Sequence, residues 1–153
     1  GRHLADTLAA RHASLIGIDP SEEMEKIYEA PGTFVCANAE EHDYQSFDLC
    51  ILFLVLMFIE PGKRAAYTRT LYEKCKPGGA IIVFDKMERS QGYLGTIMYR
   101  LTLAGKFQAG VEPAEIIEKE LSLAGVQRPI SLDQLPAAPY QWFKFGDFAG
   151  YIL

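Results

Sequence analysis

Two stretches decide the fold: FDLCILFLVLMFIEP at 47–61 and KPGGAIIVFD at 76–85. The first is apolar without interruption from Leu49 to Ile59, and the second enters an apolar run, Ala80 to Phe84, through Pro77-Gly78-Gly79. Between them Tyr67, Leu71 and Cys75 recur at helical spacing. Two buried strands joined by a helix form a crossover unit, and such strands lie parallel in one sheet. Open parallel sheets bind ligands beyond the carboxyl ends of their strands. Residues 53–57 and 85–87 are expected at those ends.

Toward the N-terminus the pattern alternates in the same way. A helix is expected over 2–11, with Leu4, Ala5 and Leu8 on one side, then a strand over 15–18 ending at Asp19. Ser21 is a good N-cap, and Glu22 and Glu23 suit the first helical turn. Met24, Ile27 and Tyr28 give that helix its apolar face, and Pro31-Gly32 stops it. Thr33 to Cys36 reads as a strand, followed by the loop Ala37-Asn38-Ala39-Glu40. Toward the C-terminus Ser90 is expected to cap a helix facing inward through Leu94, Ile97, Met98 and Leu101. Glu112-Pro113 starts another, with Ile116, Ile117 and Leu121 inward. Residues 128–139 look like loop, with Pro129, Pro136 and Pro139. Two strands around Gly146-Asp147 form an antiparallel hairpin.

The order is that of an α/β fold with a doubly wound, mostly parallel sheet and a C-terminal antiparallel hairpin. Gly1-Arg2-His3-Leu4 enters a helix with no strand before it. A sheet of this kind with an empty centre leaves two rows of backbone groups unpaired. A first strand and its Gly-rich loop are therefore expected upstream of Gly1.

The 153 residues suffice for one domain, with 49% hydrophobic and 23% charged residues, an ordinary globular balance. The longest apolar run is well short of the roughly 20 residues of a membrane helix. A net charge of -5 disfavours a broad nucleic-acid surface, although a local basic patch is compatible with it. Cys36, Cys50 and Cys75 fit no metal spacing and read as small core residues in a reducing, cytoplasmic compartment. His3, His12 and His42 are scattered in polar surroundings, and no metal site is expected.

Asp19 is the sharpest single position. A carboxylate ending a strand of a nucleotide-binding sheet can accept both ribose hydroxyls; alternatively it is a turn residue before Pro20. Asn38, Ala39 and Glu40 either present an adenine-reading edge or cap the next turn. Phe53 is either a wall for a ligand or core. On the substrate side, Lys86 and Arg128 can meet anionic groups or stand solvated or ion-paired. Tyr93 and Tyr99 either cover a pocket or pack structurally, and Trp142 is expected in the core.

GIDPSEEM, ANAEEH, FDLCILFLVLMFIEP and KPGGAIIVFD together resemble the class I S-adenosylmethionine-dependent methyltransferases, over nearly the whole chain. Lys76-Pro77-Gly78-Gly79 is the most specific of these matches. LMFIEP, KPGGAIIVFDK and WFKFGDFAG look like the group that includes the wobble-uridine carboxymethyltransferase of tRNA; the segment from Ser90 to Pro139 departs from it. The resemblance implies one Rossmann-like methyltransferase domain over 1–153, N-terminally incomplete, with Gly1 as the last glycine of the cofactor loop. It implies S-adenosyl-L-methionine, or a carboxylated form of it, as cofactor. Gly1, Asp19, Pro20, Met24, Asn38, Ala39, Glu40, Phe53 and Leu54 would bind it, with Phe53 and Leu54 at the methionine end. It implies methyl transfer to a small molecule or a tRNA base, with no membrane partner; a homodimer is compatible with it. No catalytic dyad is assigned, because positioning suffices when the acceptor is already nucleophilic. Two other readings stay open. A nicotinamide-dependent oxidoreductase also uses an acid at Asp19, and a non-catalytic member would keep the fold as a binding module.

Overall fold

In the computed structural model, which describes residues 2–88 and 92–153, strand β4 (Cys75–Lys86) is central to the larger of two units, Tyr44–Leu153. It pairs in parallel with β3 (Phe47–Phe53), from Leu49 opposite Ala80 to Phe53 opposite Phe84. On its other side it pairs antiparallel with β6 (Phe148–Ile152), which in turn pairs antiparallel with β5 (Tyr140–Phe145). The order is β3-β4-β6-β5. The parallel crossover pair and the C-terminal hairpin are those expected.

β4 is longer than Ala80–Phe84. Phe47 also pairs with Cys75, and the residues between Cys75 and Ala80 bulge out through Pro77-Gly78-Gly79. Gly78 has φ +82°, and a Cβ on Gly79 would lie 2.6 Å from the Asp48 carbonyl oxygen. Both positions thus need glycine.

One face of this sheet holds the core. Leu52, Ile81, Val83, Ala149 and Tyr151 are buried on it, and α3 (Pro61–Lys74) packs against β4. The helix begins with proline at its first turn and buries Arg64, Tyr67, Thr68 and Leu71. Cys75, expected on this helix, instead caps it and opens β4. The segment expected to be plain loop also enters the core: Ile130 bridges to Met87, and Ile130 and Leu135 are buried.

The opposite face is open and apolar. Leu49, Ile51, Phe53 and Ile152 are exposed along it. Phe84 stacks on Phe53 at 5.1 Å between ring centroids and lies 5.4 Å from Phe143. Trp142, expected in the core, is 49% exposed. A register shift between Gln141 and Phe143 removes it from simple alternation, and its indole lies so close over Gly150 that a Cβ there would approach within 2.6 Å.

Helices α4 (Tyr93–Gln108) and α5 (Pro113–Leu123) turn only part of their expected apolar faces inward. Leu94, Leu101, Ile117 and Leu121 are exposed. In α4 Gly95 is buried and Ile97, Met98 and Tyr99 are half-buried, so Ile97 and Met98 lie inward as expected. The Met98 methyl packs at Gly146. In α5 the stripe is Ile116, Glu120 and Leu123, with Glu120 paired to Lys106 of α4 at 2.9 Å. The expected cap at Ser90 lies outside the described residues.

The smaller unit, Gly1–Asp43, holds α1 (Arg2–Ala9) and two parallel strands, β1 (Ile16–Asp19) and β2 (Thr33–Cys36), joined through α2 (Glu22–Lys26). α2 is shorter than expected: Ile27 is its C-cap and is exposed, while Tyr28 turns back onto Phe34. Gly32, at φ +108°, brings the chain so close to the Leu15 carbonyl that a Cβ would sit 2.5 Å from it. Cys36 is exposed, whereas Cys50 and Cys75 are half-buried. Burial, with Cys75 adding to it, pushes the Cys50 thiol up to about 12. No helix among the described residues is long and apolar enough to cross a membrane.

Candidate functional site

The carboxyl end of β1 is built from short-range hydrogen bonds. Asp19 Oδ1 accepts the Ser21 N–H at 2.9 Å, and Ser21 Oγ accepts the Met24 N–H at 3.2 Å, which caps α2. The Asp19 carbonyl accepts the Ala37 N–H at 3.2 Å, tying the β1 end to that of β2. Asp19 Oδ2 accepts no hydrogen bond among the described residues. Pro20 is exposed, and its carbonyl faces the Cys36 thiol at 3.6 Å. That thiol is shifted upward by desolvation and then by the carboxylates of Glu25, Glu22 and Asp19. Three carboxylates, two on α2 and one at the end of β1, thus act on this tip.

After β2, Asn38 precedes a 3-10 turn at Ala39–Glu41. Its side-chain amide donates to Glu41 Oε2 at 3.2 Å and does not cap the turn. Asn38 is exposed, Ala39 and Glu40 are half-buried, and Met24 is 45% exposed. Gly1 lies outside the described residues.

The carboxyl ends of β3 and β4, in the larger unit, are built differently. The exposed Phe53 ring stacks flat on Phe84, 10° from parallel. Leu54 donates its N–H to the Phe84 carbonyl at 2.8 Å and then adopts φ +57°, the left-handed region that a leucine seldom occupies. A 3-10 turn, Leu56–Phe58, follows; its N-cap, Val55, offers no side-chain acceptor. Asp85 supplies one from the neighbouring strand. Its Oδ2 accepts the N–H groups of Leu56 at 2.7 Å and Met57 at 3.4 Å, and its Oδ1 accepts that of Lys86 at 2.8 Å. Asp85 is fully buried. Burial raises its pKa, opposed by those three N–H donors and by Arg64.

Arg64 is 1% exposed. Its Nε donates to the Ile59 carbonyl at 2.9 Å, Nη2 to that of Arg128 at 2.7 Å, and Nη1 to that of Pro129 at 2.9 Å and to Gln134 Oε1 at 3.1 Å. Burial lowers its pKa, while Asp85 acts in the opposite direction. Sequence reasoning placed Asp85 at a strand end but gave it no partner, and it passed over Arg64. One signal was available: an arginine inward on an amphipathic helix needs a compensating acceptor.

Lys86 donates to Gln127 Oε1 at 2.6 Å and lies 5.8 Å from the centre of the Phe148 ring. With Glu120, Gly125, Gln127, Pro129 and Asp147 it lines a cavity of about 240 Å³. Arg128, Tyr93 and Tyr99 do not line it. Arg128 turns its Nε onto the Gly125 carbonyl at 2.8 Å, Tyr93 is exposed, and Tyr99 is half-buried. Among the described residues no His, Cys, Asp and Glu side chains gather as a metal-ligand set.

A family model described as "Methyltransferase domain" matches residues 1–83. The carboxy-S-adenosyl-L-methionine synthase of Helicobacter hepaticus is 31% identical over 130 residues, 80% of this chain and 54% of that protein. The protein of the same name from Shewanella piezotolerans is 25% identical over 159 residues, 93% of this chain and 65% of that one. The chain thus spans between about half and two thirds of the length of the curated relatives it matches. Among solved structures, human N-acetylserotonin methyltransferase in complex with SAM superposes with a TM-score of 0.54 at 19% identity, over 97% of this chain and 44% of that one. LepI in complex with SAM gives 0.56 at 11% identity, over 98% of this chain and 38% of that one. At those identities the likeness is one of fold, and the fold is Rossmann-like.

Proposed function

The chain belongs to the methyltransferase-domain family, and from that premise we propose that it transfers a methyl group from S-adenosylmethionine to a small molecule or a tRNA base. The observation that carries this reading is the β1 tip. Asp19 keeps one carboxylate oxygen free at a strand end, where a ribose diol can donate to it. The acids around it suit a cofactor that bears ribose hydroxyls and a sulfonium cation.

When bound, the cofactor supplies an electrophilic methyl whose transfer breaks a carbon–sulfur bond and leaves a neutral thioether. The chain's own residues bind and orient. Asp19 holds the ribose. Pro20, Met24, Asn38, Ala39 and Glu40, in the same unit as Asp19, frame the adenosine; in the larger unit, taken by itself, the family resemblance assigns Phe53 an aromatic face for the sulfonium. Leu54 lines the methionine end. Lys86 orients an acceptor bearing a carboxylate or phosphate group. Catalysis then rests on positioning and exclusion of water, with no dedicated base.

A second reading is favoured by the Helicobacter and Shewanella relatives, both named as carboxy-S-adenosyl-L-methionine synthases. In it the methyl carbon stays on sulfur, gives up a proton and forms a carbon–carbon bond to carbon dioxide, so the product is a carboxylated cofactor. Incubation with methyl-labelled S-adenosylmethionine and bicarbonate, with and without bulk tRNA, separates the two by mass spectrometry. Methyl transfer yields S-adenosylhomocysteine and label on the acceptor. Carboxylation yields a heavier cofactor that keeps its label. An unaltered cofactor, together with thermal protection by NAD and none by S-adenosylhomocysteine, would overturn both.

A further inference from the structure

We propose that Asp85 is a positioning residue for cofactor binding, holding the left-handed Leu54 turn in the conformation that the cofactor meets, with Arg64 anchoring that turn from its other end. The inference rests on the reading above and goes beyond it, since neither residue is expected to touch the cofactor.

The turn that follows β3 cannot hold itself. Leu54 carries a positive φ with a branched side chain, a conformation that persists only where the surroundings over-determine it. Val55 provides no cap for the 3-10 turn. Its leading N–H groups, at Leu56 and Met57, are satisfied by the Asp85 carboxylate. Its trailing carbonyl, at Ile59, is satisfied by Arg64 Nε, and Met57 itself is held by an N–H to Asp85 and by a carbonyl that accepts the Arg128 N–H at 2.8 Å. A buried anion and a buried cation thus grip opposite ends of one short turn. The anion sits on β4, so it sets the turn against the sheet. Asp85 also fixes the Lys86 N–H, which places the first residue of the cavity wall by the same carboxylate. Polar groups this deeply buried fix one arrangement when fully satisfied, and among the described residues no buried side-chain nitrogen or oxygen lacks a partner.

The test compares Asp85→Ala, Asp85→Asn and the control Val83→Ala, which removes packing from the same buried face of β4. Two quantities are read: the S-adenosylhomocysteine dissociation constant by calorimetry, and amide hydrogen exchange without ligand. The expected result for Asp85→Ala is faster exchange at Leu56 and Met57, retained protection along β4–β6, and binding weakened at least tenfold. Asparagine keeps an acceptor oxygen and should recover part of both losses. Val83→Ala should lower stability with the dissociation constant and the two amides unchanged. Unaltered exchange at Leu56 and Met57 in Asp85→Ala, or an equal loss of binding in Val83→Ala, would overturn the proposal. If the wild-type protein binds no S-adenosylhomocysteine, the methyltransferase reading falls, and the amide exchange still decides whether Asp85 holds the turn.

Discussion

The β1 tip and the β3 tip do comparable work by opposite means. At β1 the turn is held by neighbours in sequence: Asp19 to Ser21, and Ser21 to Met24. Asp19 and Ser21 are only half-buried, and the Cys36 thiol beside them is shifted upward by desolvation and then by carboxylates on α2 and at the end of β1. At β3 the turn is held from a distance, by Asp85 on the next strand and Arg64 on the next helix, both buried. A local turn costs little to form and little to lose. A turn fixed by buried charges is rigid, and removing either charge leaves groups with no substitute partner.

The comparison breaks most readily at Arg64. Replacing it with alanine strands the carbonyls of Ile59, Arg128 and Pro129 and leaves Asp85 without its counter-charge. We expect a loss of about 3–5 kcal/mol in urea unfolding. A loss below about 1 kcal/mol would mean that water replaces the guanidinium and that the β3 tip is no more rigid than the β1 tip. At the β1 tip the corresponding change, Ser21→Ala, removes the α2 cap and should cost about 1 kcal/mol. A cost equal to that of Arg64→Ala would erase the distinction.

The smallest expected effect is a slope. Burial raises the folded-state pKa of Asp85, so just above the ordinary carboxylate value the folded chain retains a proton that the unfolded chain has released. The associated stability is fully present below the ordinary value, about pH 4, and is lost as pH rises through the raised one. Asp85→Asn should flatten this part of the profile of unfolding free energy against pH.

The same contrast governs what can be read from the sequence. The order of elements along the chain, the Ser21 cap and the position of Asp19 were legible because each rests on periodicity or on residues two or three apart. The grip of Asp85 on Leu56 was not, because the pair is separated by a whole crossover helix and only the register of β3 on β4 brings them together. The helix faces failed for a related reason. Hydrophobicity chose Leu94 and Leu101, which are exposed, and passed over Gly95, which is buried. Loop composition likewise hid the buried Ile130 and Leu135: Arg64 donates to the carbonyls of Arg128 and Pro129 ahead of Ile130, and Thr68 Oγ1 donates to that of Gln134 ahead of Leu135.

The central claim is that the β1 tip is a ribose-binding carboxylate in a methyl-transfer cofactor site. Calorimetric titration of S-adenosylhomocysteine into the wild-type protein and into Asp19→Ala tests it most directly. The account predicts saturable binding to the wild type and an affinity at least about tenfold lower in the variant, the loss of charge-assisted hydrogen bonds. Equal affinities, or no binding to either protein, would contradict it.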